Sequence, residues 1–233
     1  MNLLLNPVRS PTLILDVGAN QGIDGLRLAQ ANPQLHVIAF EPTPQLLRLI
    51  TQKVQQAGVK NYTLVAAAAG AFDGKATFNI AGQGDWGCSS LNSFSEGLDK
   101  TWPGRTDFKV TEQIEVQVLR LDTFLSTLEF ESIAYMHCDT QGSDLDVLRG
   151  LGRFRENLQR GVIECASARS VALYREQHLL EDACFEFARW GYEIERVEPN
   201  DAQCNEINLH FRNKFVRARA PHVGSPCALP LAA

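Results

Sequence analysis

Short runs rich in Val, Ile and Leu alternate along the chain with longer stretches of helical period. That alternation predicts a parallel α/β sheet with crossover helices. The first strand spans residues 12–17 in TLILDV. Residues 22–31 then form a short helix, with Ile23, Leu26 and Leu28 on its buried side, and Asn32-Pro33 stops it. HVIAFEP is a second strand ending at Glu41. In TPQLLRLITQKVQQAG, Thr43 is the N-cap, Pro44 the first helical residue and Gly58 the stop. Leu46, Leu47, Ile50 and Val54 form that helix's apolar face.

YTLVAAAA reads as one third strand, leading into AFDGKATFNI through a tight hairpin at Asp73-Gly74. IEVQVLRL alternates as a half-buried strand, and LDTFLSTL follows as a short helix. IAYMHCDTQG repeats the opening theme of an apolar strand, an aspartate and a glycine, with SDLDVLRGL as its helix. GVIECA is a buried strand ending near Glu164, and HLLEDACFEFARW is a helix ended by Gly191. YEIERVE and EINLHFRN pair as antiparallel strands. The expected architecture is a doubly wound, mostly parallel seven-stranded sheet with an antiparallel C-terminal hairpin. It forms one domain over residues 1–216, with a loop and hairpin excursion at about 70–120. The Gly- and Ser-rich part of that excursion, residues 82–108, carries Trp86 and Trp102 and is of the kind that closes over a site. Residues 217–233 have no clear period and read as a flexible tail.

Composition narrows the class. The 233 residues are 45% hydrophobic and 21% charged, enough for one sizeable core. Net charge is −5, and Lys and Arg form no long run, which argues against a nucleic-acid partner. Arg217 and Arg219 read as part of a solvated tail. The six cysteines are scattered without a C-x-x-C pair and read as buried free thiols in a reducing compartment. MNLLLNPVRSP lacks a basic n-region, and no stretch reaches the ~20 apolar residues that span a bilayer. A cytoplasmic protein without membrane contact is expected.

Ligands of open α/β sheets bind outside the carboxyl ends of the strands, where strand order reverses. Asp16, Glu41 and Asp139 each stand where a predicted strand stops. Gly18 and Gly22 let the backbone approach a ligand, and Asn20 tolerates left-handed geometry. Glu41, 19 residues after Gly22, sits where an acid takes ribose hydroxyls. A phosphate cradle is disfavoured, because two anions 4 Å apart repel by about 4 kcal/mol at an effective dielectric of 20. The Walker pattern is absent, and the dinucleotide G-x-G-x-x-G fails because its middle position is Asn20. Asp16 suits a ligand carrying an ammonium or sulfonium group.

DVGANQG, FEPTPQLLRLI, the SSL at residues 89–91, VQVLRLDTFL, and CDTQGSDLDVLRGL followed by VIECA occur in one order. In that order the chain resembles FkbM-type methyltransferases from about residue 13 to residue 211. The resemblance implies a class I methyltransferase (Rossmann-like) fold and S-adenosyl-L-methionine as cofactor. It implies that Asp16, Gly18, Ala19, Asn20 and Gly22 form the loop beneath the methionine part. Glu41 would then hold the ribose, Pro42 form part of the adenine wall, and Ala68 and Ala69 border the adenine. Asp139 corresponds to the family's aspartate near the transferred methyl. The chain departs from the family's usual lysine at His137, glutamate at Gln141 and acid at Gly70-Ala71.

An acceptor hydroxyl must lose a proton, and Asp139 or His137 is positioned by strand period to take it. His137 as a hydrogen-bonded core histidine is the plainer alternative, as is Asp139 as N-cap of the following helix. Asp139, Asp144 and Glu164 have the oxygen ligands Mg²⁺ prefers, but Asp144 and Asp146 more simply bias a helix N-terminus, so no metal is expected. Glu164 reads equally as a group orienting an acceptor hydroxyl or as a structural partner. Trp86 and Trp102 read equally as acceptor-stacking or loop-anchoring. The resulting expectation is O-methylation of a sugar or natural-product hydroxyl. Homo-oligomerisation and a partner-completed acceptor pocket stay open. N-methylation, an NAD-dependent oxidoreductase and a non-catalytic cofactor-binding module are the alternatives, separated by acceptor, nicotinamide binding and the presence of an acceptor pocket.

Overall fold

A computed structural model describes residues 3–82 and 86–216. In chain order it contains β1 (Leu3–Leu5), β2 (Thr12–Val17), α1 (Ile23–Ala31), β3 (His36–Phe40), α2 (Pro44–Ala57) and β4 (Tyr62–Val65). Then come β5 (Ala68–Gly70), β6 (Gly74–Ala81), α3 (Leu98–Thr101), β7 (Val110–Arg120), α4 (Leu121–Leu125) and β8 (Ser132–Cys138). The remainder is α5 (Asp144–Gly150), β9 (Arg160–Ala166), α6 (Leu180–Trp190), β10 (Tyr192–Pro199) and β11 (Glu206–Asn213).

The main sheet has the order β1-β4-β3-β2-β8-β9-β11-β10. The run from β4 to β9 is parallel, and β11 and β10 form the expected antiparallel hairpin. An eighth strand, β1, adds antiparallel to β4. The central strands are apolar on both faces because helices cover both. Leu13, Leu15, Ile38 and Phe40 pack with Phe124, Leu148 and Phe187 on one side. Ile14, Val37 and Ala39 pack with Ala29, Ile50 and Val54 on the other. Each fully buried side chain of this size contributes about 1.5–3 kcal/mol. From β2 the chain winds outward to β3 and β4, then returns to β8 on the other flank of β2. That reversal places a crevice at the carboxyl ends of β2 and β8.

Three local expectations are corrected. The alanine-rich third strand breaks after Val65, and its second half becomes β5 of a separate sheet ordered β5-β7-β6. Small residues suit that path because α5 crosses β5 closely: a methyl on Gly150 would meet the Gly70 carbonyl oxygen at 2.2 Å. Asp73-Gly74 is therefore no hairpin turn, since β7 lies between β5 and β6. Asp73 instead accepts hydrogen bonds from Arg120 N at 2.8 Å and Thr123 Oγ1 at 2.7 Å. On α1 the buried residues are Gly25 and Ala29, while Ile23 is exposed.

Of the described cysteines, Cys138 and Cys165 are buried, Cys88 is half-buried, and Cys184 and Cys204 are exposed; all are free thiols. The predicted tail at 217–233, with Cys227, Arg217 and Arg219, lies outside the described residues. Among the described residues no helix is long and apolar enough to cross a membrane.

Candidate active site

The crevice holds a narrow cavity of about 50 Å³ set in a wider, solvent-open depression of about 520 Å³. Gly18 and Asn20 after β2, Glu41 to Thr43 after β3, and Asp139 to Gln141 after β8 supply its polar rim. Leu46, Ala68, Ala69 and Phe78 supply an apolar wall, and Trp86 to Leu91 of the excursion close one side.

Gly18 is the tightest point. Its φ is +81°, and a methyl there would lie 1.9 Å from the backbone oxygen of Asp139. Gly18 N and Ala19 N both donate to the Phe40 carbonyl, at 3.1 and 3.0 Å, and Asp139 N donates to the Val17 carbonyl at 2.9 Å. Three strand ends are thereby stitched together. Gly22 caps α1 in left-handed geometry, and a methyl there would lie 2.9 Å from Ile50 Cγ1. Ala19 is buried in the core on the α1–α2 side.

Glu41 is 4% exposed. Its Oε2 accepts from Asn20 N at 2.9 Å and its Oε1 from Thr43 N at 2.8 Å. Burial pushes its pKa up to about 7 in spite of those hydrogen bonds, with Asp16 adding to the rise. On the same wall Asn20 Oδ1 and Thr43 Oγ1 are buried without partners. Thr43 does occupy the N-cap position of α2, but its hydroxyl makes no cap hydrogen bond.

Asp16 and His137 stand elsewhere. Asp16 is 1% exposed and lies beneath α1, where a methyl on Gly25 would meet its Oδ2 at 2.3 Å. Its Oδ1 is 2.9 Å from Nδ1 of His137, its register partner on β8. Burial works against charge on His137, but Asp16, with Asp139 and Asp24, lifts it to about 9. At neutral pH His137 is therefore protonated against Asp16 behind the cavity wall, and neither residue lines the cavity.

Asp139 does line the cavity, and its Oδ1 accepts from Gln141 Nε2 at 2.7 Å. Ser143, not Asp139, holds the N-cap position of α5. Asp144 is a buried strut whose Oδ2 takes Thr140 N and Oγ1, at 3.2 and 2.9 Å, and whose Oδ1 takes Glu164 N at 3.1 Å. Burial and Asp139 push Asp144 up to about 7. Glu164 is buried outside the lining; its Oε1 accepts from Asn200 and its Oε2 has no partner. Burial, then Asp139, Glu206 and Asp144, raise it well above the usual carboxylate range.

The excursion is clamped down over the β8–α5 loop. Ser90 Oγ donates to the Gln141 carbonyl at 2.6 Å, and Asn92 Nδ2 to Ser143 Oγ at 3.0 Å. Phe94 stacks on Tyr174 with centroids 5.3 Å apart. Trp86 reaches the cavity, whereas Trp102 is buried and donates to the Val171 carbonyl at 3.3 Å as an anchor. Sequence reasoning missed Tyr174, Phe78 and Leu46. Leu46 and Phe78 carry only the apolar pattern of their elements, and Tyr174 arrives from a loop with no local signal.

A doubly wound sheet with a C-terminal hairpin and a carboxylate-rimmed, glycine-tight crevice defines the class I methyltransferase fold. Residues 16–194 match the model of the methyltransferase FkbM domain, and the chain belongs to that S-adenosylmethionine-dependent family. It is 23% identical over 150 residues to methyltransferase 1 of Beauveria bassiana, covering 62% of this chain and 60% of that protein. It is 29% identical over 143 residues to the 2-O-methyltransferase NoeI of Sinorhizobium fredii, covering 59% of this chain and 56% of NoeI. The chain thus spans less than two thirds of either relative's length. Among solved structures, Aeropyrum pernix fibrillarin with natively bound S-adenosyl-L-methionine superposes with a TM-score of 0.50 at 12% identity. That match covers 88% of this chain and 68% of fibrillarin and speaks to the fold alone.

Proposed function

We propose that the protein transfers a methyl group from S-adenosyl-L-methionine to a hydroxyl oxygen of a small-molecule acceptor, a sugar or natural-product hydroxyl. The observation that carries the reading is the single cavity wall on which Gly18, Asn20, Glu41 and Asp139 meet. The residues fit the cofactor. Asn20 Oδ1 and Thr43 Oγ1 are buried there without partners, ready for a donor or a hydroxyl, and the Gly18 backbone leaves room for a bulky ligand. Glu41 would take the ribose hydroxyls on its remaining lone pairs. Pro42, Leu46, Ala68, Ala69 and Phe78 would enclose the adenine. When bound, the cofactor supplies a sulfonium methyl for in-line displacement.

The chain's own residues align the acceptor, exclude water through the Trp86–Leu91 cover, and receive the hydroxyl proton at Asp139. His137 would act from behind the wall, fixing the Asp16 side chain under the loop. The preference for oxygen rests on the 2-O-methyltransferase relative. Five free described cysteines support a reducing, cytoplasmic setting.

Calorimetric titration with S-adenosylhomocysteine, with NADH as control, tests the reading. Saturable binding of the first alone is expected. Binding of NADH alone, or of neither, would overturn it.

A further inference from the structure

Tyr174 Oη has one hydrogen and two acceptors, the Gln141 Oε1 and the Cys88 carbonyl, each at 2.8 Å. Tyr174 is 1% exposed, and burial together with the surrounding acids keeps its phenol protonated. Gln141, held at φ +57°, uses the other end of its amide to donate to Asp139 Oδ1 at 2.7 Å. A chain of hydrogen bonds therefore runs from the carbonyl of the covering segment to the carboxylate that faces the cavity.

Counting donors shows that this chain has two arrangements. With Asp139 ionised, Gln141 must present Nε2 to it, so Oε1 faces Tyr174 and captures its hydrogen. The Cys88 carbonyl then gets no full hydrogen bond from Tyr174. With a proton on Asp139 Oδ1, the amide can turn over. Asp139 then donates to Gln141 Oε1, Gln141 Nε2 donates to Tyr174 Oη, and Tyr174 donates to Cys88. The turned arrangement makes three hydrogen bonds where the first makes two, and it is closed to an ionised Asp139 because Oε1 would face a carboxylate. A methyl on Gly142, whose φ is +98°, would meet the Tyr174 ring at 2.9 Å, so the ring and the loop are packed tightly enough to keep these partners in register.

We propose that Gln141 and Tyr174 are positioning residues that form a two-state hydrogen-bond relay, coupling the proton taken up by Asp139 to the grip on the cover at Cys88. The proposal rests on the reading of Asp139 as the group that receives the acceptor's proton. In that step the acceptor O–H bond breaks and an Asp139 O–H bond forms. The proton later leaves Asp139 for solvent as the cover loosens, so nothing else is consumed. The charged and titratable groups facing Asp139 are His137 on its own strand, neighbouring Cys138, Asp144 on α5, Glu164 on β9, Glu206 on β11 and the Tyr174 phenol. None of them supplies the amide reversal.

The test is nuclear magnetic resonance on the full chain loaded with S-adenosylhomocysteine, titrated from about pH 3 to about pH 9. The signals are the Asp139 carboxyl carbon, assigned by its loss in Asp139→Asn, the Gln141 side-chain amide, and the Cys88 carbonyl carbon. One shared midpoint for all three is expected. In Tyr174→Phe, Asp139 and Gln141 should still move together while Cys88 stays flat. In Gln141→Leu, which keeps the phenol, Cys88 should no longer follow Asp139. An Asp139 transition with a stationary Gln141 amide, or no Asp139 transition in this range, overturns the relay. Failure to load S-adenosylhomocysteine would instead sink the function, and the same titration on the unliganded chain would still judge the relay.

Discussion

Replacing Gly18 by alanine perturbs the crevice at its tightest point, and Gly58 provides the matched control. Both glycines are left-handed, at φ +81° and +67°. A methyl on Gly58 meets nothing within 4 Å, whereas one on Gly18 lies 1.9 Å from the Asp139 carbonyl oxygen. Left-handed geometry costs an L-residue about 1–2 kcal/mol, and the lost freedom of glycine in the unfolded chain returns about 0.4–1 kcal/mol. Gly58→Ala should therefore destabilise by about 1 kcal/mol. Gly18→Ala adds a backbone overlap, and forced displacement in a packed region costs about 1–3 kcal/mol more. The expected loss is about 2–4 kcal/mol, measured from urea denaturation midpoints at unchanged slope. The displaced Asp139 segment should also weaken S-adenosylhomocysteine at least about tenfold, a change of 1.4 kcal/mol read by calorimetry. Equal stability losses in the two variants would refute the argument, because only steric contact with Asp139 separates them.

Glu41→Ala should weaken S-adenosylhomocysteine by about ten- to a hundredfold, since it removes the acceptor of the Asn20 and Thr43 amides as well as the proposed ribose contact; unchanged affinity would remove Glu41 from the site. Asp139→Ala should leave that affinity within about threefold while turnover on a responsive acceptor falls about 10²–10⁴-fold, and intact turnover would exclude a proton-accepting role. His137, lifted to about 9 by Asp16, binds its proton more tightly folded than unfolded, so its contribution is complete below about pH 6.5 and is lost as pH rises through 9. That contribution is at most about 3 kcal/mol, and His137→Gln should flatten the decline of unfolding free energy between about pH 6.5 and about pH 9. A decline as steep as the wild type's would show that the ion pair with Asp16 is not its source.

The buried strands were legible because helices on both faces demand uninterrupted Val, Ile and Leu, as in β2 and β3. The inner side of α1 was not, because that helix lies so close over Asp16 that glycine and alanine, not Ile23, must face the sheet. Apolar periodicity marks a helix packed at ordinary distance and misreads one packed at contact distance. The break between β4 and β5 had no signal for a related reason: four consecutive alanines fit a strand interior and a close helix crossing equally well. Tyr174 was invisible because it is joined to Gln141 and Cys88 only by tertiary folding.

The three strand-end acids looked equivalent in sequence, and the structure separates them by one residue of position. β3 ends at Phe40 and β8 at Cys138, so Glu41 and Asp139 stand just past the last ladder residue and face the cavity. β2 ends at Val17, so Asp16 is still inside its strand. A residue inside a strand is committed to one face of the sheet, and the face that Asp16 meets is the underside of α1. His137, likewise inside β8 and in register with Asp16, shares that face, which pairs the two with each other instead of with a ligand. The boundary between scaffold and site thus runs through the motifs themselves: within DVG and HCD, the residue beyond the last strand position lines the cavity, and the acid or histidine before it holds the wall from behind.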